Sequence, residues 1–140
     1  MEPRFTLHES LSADTVEIER WGLSLVLLMN ARDWPWLILV PMRPAMREMH
    51  DLPATDRAVL IEEIARAGRL LEHMFRPDKI NVAALGNVVP QLHLHVVARF
   101  RDDPAWPRPV WGAAPPVPYA PGELDRRVQE VRAALHAADA

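Results

Sequence analysis

The chain has 140 residues, 25% of them charged and 49% hydrophobic, which suits one ordinary soluble domain with a substantial core. A formal net charge of −3 gives no bulk attraction to nucleic acid or to an anionic membrane, so any anion recognition must be local. Cysteine is absent, which excludes disulfides, thiolate nucleophiles and cysteine-based zinc sites.

In chain order, "MEPRFTLHES" lacks the apolar core of a secretory signal, so a cytoplasmic location is expected. "DTVEIERWG" sets Val16 and Ile18 among charged neighbours, the alternation of a half-buried strand. "LSLVLLMN", residues 23–30, is continuously apolar, too short to span a bilayer but right for a buried strand. "WLILVPM", residues 36–42, follows after a short polar connection and predicts its antiparallel hairpin partner. From Thr55 the period changes. Leu60, Ile61, Ile64, Leu71, Met74 and Phe75 recur at helical steps and predict one long helix over about 55–75. Thr55 or Asp56 is the expected cap, and Pro77 the stop. "KINVAALG" and "QLHLHVVARF" predict two further strands, and residues 101–122 form a Pro- and Trp-rich arm that two tryptophans should keep ordered. A last helix is expected over about 122–138. The whole, 1–140, reads as a single α+β domain with a mostly antiparallel sheet of about five strands.

"QLHLHVVARF" raises the functional question. Alternation puts Gln91, His93 and His95 on one face of a strand, with Leu92, Leu94 and Val96 on the other. Three readings compete. The histidines are structural; or they share a metal ion, which needs a third ligand that none of His8, His50, His73 and His136 supplies at motif spacing; or a neutral imidazole works as nucleophile or base. The flank favours the third, since Gly86 and Asn87 precede the strand where backbone N–H groups and an amide can face a phosphate.

"GNVVPQLHLHVVARF" resembles the signature of the histidine triad superfamily, in which histidines alternate with apolar residues. "LSLVLLMNARDWPWLILVPMRPAMREMHDL" further resembles the hairpin and "HDL" segment of the fragile histidine triad hydrolases, so the likeness spans about residues 16–100. The resemblance implies a nucleotidyl hydrolase or transferase acting on the α-phosphate of a nucleoside 5′-phosphate derivative, with dinucleoside polyphosphates and phosphoramidates as the substrate classes. It implies that His93 attacks phosphorus to form a covalent nucleotidyl-histidine and that His95 hydrogen-bonds the phosphate oxygens. It places Asn30 against the nucleoside and Asn81 near the phosphate or leaving group, sets Asn87 where the family often has glutamine, and implies a homodimer. No cofactor is expected, and whether a divalent cation arrives with the substrate is left open by the sequence.

The departures matter. Gln91 stands where the first histidine belongs; it can donate and accept hydrogen bonds but cannot be protonated. Val88 replaces a hydroxyl residue of some relatives, and Ala98 replaces the frequent proline before Arg99. A nucleotide-binding module with weak or no catalysis is therefore the alternative. Arg43, Arg47, Arg99 and Arg101 are candidates for a polyphosphate, Arg99 above the rest because it follows the histidine strand. Trp34 and Trp36 are candidates for base stacking or plain packing. Trp106 and Trp111 are candidates for closing the site from the arm.

Overall fold

The computed structural model describes residues 4–138. The half-buried alternation becomes β1 (Thr15–Arg20), and the two apolar runs become β2 (Ser24–Met29) and β3 (Trp36–Pro41). With β4 (Lys79–Ala84) and β5 (Leu94–Arg99) they make one sheet in the order β1-β2-β3-β5-β4, antiparallel at every pairing. The α+β reading with five strands holds.

Both faces of this sheet are covered, which explains why β2 and β3 carry almost no polar residues. On one face Val26, Leu28, Leu37, Leu39, Leu94, Val96 and Ala98 pack against the long helix α2 (Ala54–Phe75) and against α3 (Glu123–Ala138). On the other, Leu25, Leu27, Trp36, Ile38, Val40 and Val97 lie under Leu11, Trp34, Ala105 and Val110. The second cover comes from the start of the chain and from the arm, as the two tryptophans there require. Among the described residues no helix is long and apolar enough to cross a membrane.

Three local readings need correction. The buried face of α2 carries Leu60, Glu63, Ala67, Leu70 and Leu71, whereas Ile61 is 56% exposed; the true stripe runs through an alanine and a glutamate that apolar periodicity skips. Glu63 belongs there because its Oε2 accepts the Leu23 N–H at 3.0 Å, tying the helix to the start of β2. Neither Thr55 nor Asp56 caps α2. Pro53 holds that position with no side-chain cap, its fixed φ suiting helix entry, and Asp56 instead binds Arg43 at 2.9 Å. A six-residue helix, α1 (Glu9–Asp14), was not anticipated; it is too short to show a period, and His8 caps it by accepting the Ser10 N–H at 3.1 Å.

Leu71 sits almost fully buried in the helix-side core. Leu71→Ala should cost about 3 kcal/mol of unfolding free energy in a denaturant titration, while Ile61→Ala should change it by less than about 0.5 kcal/mol. Equal losses at both positions would contradict this assignment of the helix faces.

Candidate active site

The ladder of β5 begins only at Leu94, yet the alternation starts earlier. Leu92 and Leu94 turn into the helix-side core, while His93, His95 and Val97 turn to the opposite face. The register sets Ile38 of β3 and Ala83 of β4 beside His95, and Trp36 and Asn81 beside Val97. Both imidazoles are nearly closed off, with His93 5% and His95 7% exposed. Their rings meet edge to face at 4.8 Å between centroids. Among the described residues they belong to no group of three His, Asp or Glu able to hold a metal ion.

Hydrogen bonds assign a different tautomer to each ring. His93 Nδ1 lies 2.7 Å from the Gln91 carbonyl oxygen. A carbonyl only accepts, so Nδ1 carries the proton and Nε2 keeps its lone pair. His95 shows the reverse: Trp36 Nε1 donates to its Nδ1 at 3.0 Å, and an indole N–H only donates, so the proton of His95 is on Nε2. Trp111 of the arm packs edge-on against His95 at 5.2 Å and against Trp36 at 6.1 Å. Trp34 supports Trp36 at 6.4 Å. Burial, with a smaller push from His93, lowers the His95 pKa to about 4.

The Gln91 side chain is occupied elsewhere. Its Oε1 accepts the His8 N–H at 2.8 Å and its Nε2 donates to the Thr6 carbonyl at 2.8 Å. The backbone of Gln91 thus orients His93 while its carboxamide clasps the N-terminal segment.

Arg99 requires a correction. Its side chain is 2% exposed and bonds Asp103 through Nε at 2.8 Å and Nη2 at 3.1 Å, and Asn81 Oδ1 through Nη1 at 2.8 Å. Trp106 lies 5.7 Å from the guanidinium carbon. This fork is committed inside the protein and is not presented to a phosphate. Burial alone would raise the Asp103 carboxyl, but Arg99 and the N–H groups of Phe100, Ala105 and Trp106 outweigh it and hold the group well below the usual carboxylate range. Asp103 therefore folds the start of the arm onto β5. The spacing Arg99…Asp103 in "RFRDDPAW" was the available signal, though nothing in it says that the pair is buried.

The remaining candidates are spread out. Asn81 keeps its amide nitrogen on the sheet face of His95, two register pairs further along. Gly86 and Asn87 are exposed in the connection ahead of the histidines. Asn30 accepts the Tyr119 N–H at 2.9 Å and borders a cleft of about 340 Å³ with Ala13, Asp14, Met29, Pro116 and Pro118. By strand spacing and register it lies on the order of 15–20 Å from His93, backbone to backbone, so a ligand touching both must be extended. Arg43 pairs with Asp56, and Arg101 lies 4.0 Å from Asp78.

Residues 12–102 match the HIT domain model. The chain belongs to the histidine triad family. A histidine triad protein from Marinobacter aquaeolei is 44% identical with a TM-score of 0.92, the match covering 96% of this chain and 98% of that one. One from Bradyrhizobium japonicum is 44% identical with a TM-score of 0.89, covering 94% and 98%. One from Sinorhizobium meliloti is 42% identical with a TM-score of 0.87, covering 91% and 94%. A search among curated proteins found no significant match. Family membership supports nucleotide binding or nucleotide hydrolase and transferase chemistry in general terms.

The depressed pKa of His95 carries a stability consequence. The ring titrates at about 4 in the folded chain against an ordinary 6.5, so the unfolded chain binds the extra proton first as pH falls. Stability should be undiminished by this group above pH 6.5 and fall by about 3 kcal/mol by pH 4. Urea unfolding across that range tests it; a flat profile between pH 6.5 and 4.5 would refute the buried neutral ring.

Proposed function

We propose that the chain is a nucleotidyl hydrolase or transferase in which His93 attacks the α-phosphate of a nucleoside 5′-phosphate derivative. The observation that supports it best is the bond from His93 Nδ1 to the Gln91 carbonyl, which leaves Nε2 as a lone pair beside the Nε2–H of His95. A nucleophile and an oxyanion donor with complementary tautomers are what a two-step transfer at phosphorus requires. In the first step His93 Nε2 bonds to phosphorus and the bond to the leaving group breaks, its electron pair departing with that group. In the second, water bonds to phosphorus, the P–N pair returns to Nε2 and the water proton passes to solvent.

Asn30, Asn81, Gly86 and Asn87 are assigned to nucleotide contacts, with the Asn30 cleft for the nucleoside end. Arg99 is left out, being bound to Asp103. Gln91 serves the site through its carbonyl. Dinucleoside polyphosphates and phosphoramidates are the substrates to try, and the cytoplasm is the assigned location. The near-complete burial of both rings favours a second reading, a binding module with little turnover.

With the wild type hydrolysing a dinucleoside polyphosphate, His93→Ala should lower the rate at least about a thousandfold, and quenched wild-type reactions should show a nucleotide mass adduct on the peptide carrying residue 93. An unchanged rate in the variant would overturn the catalytic assignment. A wild type that binds AMP yet cleaves no member of a broad panel would establish the binding module.

The homodimer is assigned as well. β4 is an outer strand whose outward edge is unpaired among the described residues, and Val82 on it is 47% exposed, so a second copy has a template to pair with. Light scattering should give twice the 15.9 kDa chain mass; a monomer at tens of micromolar would reject the assignment.

A further inference from the structure

The bond between Trp36 and His95 has a chemical consequence for the reaction proposed above. Among the groups packed against His95, Trp36 comes from β3, Ala83 from β4, Trp111 from the arm and His93 from the adjoining segment. Of these only His93 can carry a charge. Trp36 is buried and braced edge-on by Trp34 and Trp111, so its N–H cannot swing away without unpacking the arm. Protonating His95 at Nδ1 would set two buried N–H groups against each other across 3.0 Å, which costs the desolvation penalty of an unpaired donor.

We propose that Trp36 is a positioning residue that keeps His95 a hydrogen-bond donor through Nε2–H and prevents it from serving as a proton donor to the leaving group. Resting on the nucleotidyl-transfer reading, this fixes how the first step ends. The P–N bond forms, the bond from phosphorus to the leaving atom breaks, and the leaving group carries off the electron pair without a proton from His95. A phosphate-type oxyanion departs readily on those terms. An amine does not, since its nitrogen must be protonated to leave as a neutral molecule. The chain should therefore discriminate by leaving-group basicity: nucleoside phosphoanhydrides turn over at least about a hundredfold faster in kcat than nucleoside phosphoramidates bearing alkylamines, at similar KM.

The deciding measurement needs no substrate. In nitrogen-15 spectra of the wild type, His95 should show a bare Nδ1 and a protonated Nε2 at pH 7, and should not titrate between pH 8 and 5.5. In Trp36→Phe, which keeps a ring but removes the N–H, the two nitrogens should average and titration should begin at a higher pH than in the wild type, burial and His93 still holding it below the ordinary imidazole range, with the gap in kcat between the two substrate classes narrowing at least tenfold at pH 5. A wild-type His95 protonated on Nδ1, or titrating in that window, overturns the proposal whether or not the variant folds. So does a folded Trp36→Phe whose His95 spectrum and substrate gap match the wild type. If the wild type cleaves nothing but shows the expected tautomer, the nucleotidyl-transfer reading fails while the lock on His95 stands; if turnover is normal but the tautomer is wrong, the reverse holds.

Discussion

The contact between His93 Nδ1 and the Gln91 carbonyl is the one on which the chemistry of this face depends, and it is made by backbone. An imidazole two residues on can reach back to a carbonyl of its own chain without help from any other element. What the rest of the fold supplies is rigidity. The residues that alternate with the histidines, Leu92, Leu94 and Val96, lie in the core against the helices, so the strand cannot roll and the rings cannot trade faces. A glutamine at 91 leaves this geometry intact because the acceptor is not in its side chain.

Coverage of the second sheet face distinguishes this chain's site from an open one. The arm returns across the sheet and is anchored at three points: Asp103 under Arg99, Trp111 on His95, and Tyr119 on Asn30. Two of these anchors, at Arg99 and at Asn30, engage polar side chains of the kind that serve a ligand. The fold thus spends part of its apparent recognition chemistry on holding its own cover, and around the histidines the groups left over, His93 Nε2, His95 Nε2–H and the amide nitrogen of Asn81, are few. Recognition of an anion here would lean on oriented N–H dipoles more than on free charge.

Strands and long helices were readable from the sequence because their signals are local. Unbroken apolar runs marked β2 and β3, and Pro77 marked the end of α2. The histidine face was readable too, since alternation alone sorts Gln91, His93 and His95 from the leucines. What could not be read were pairings between distant segments. Nothing near Arg99 says that Asp103 will be buried with it, and nothing near Gln91 says that residues 6 and 8 will lie alongside. Ile61 misled for a related reason: helical spacing admits it to the stripe, and only the placement of α2 on the sheet shows that Glu63 and Ala67 point inward in its stead. The role of Trp36 was hidden in the same way. Its sequence context offers a surface for a base or plain packing, whereas the polar tip of the indole is what the neighbouring strand engages.

The Gln91 carboxamide imitates a peptide unit. Its oxygen and nitrogen sit side by side and meet the N–H of residue 8 and the C=O of residue 6 as an adjoining strand would. Attachment of this kind is blind to side chains: Thr6 and His8 could be exchanged for many other residues and the seam would persist, with proline at position 8 the clear exception because it lacks the hydrogen the amide oxygen needs. An imidazole placed at 91 would not be neutral either, since its two nitrogens diverge around a ring and cannot match both partners of an extended chain at once.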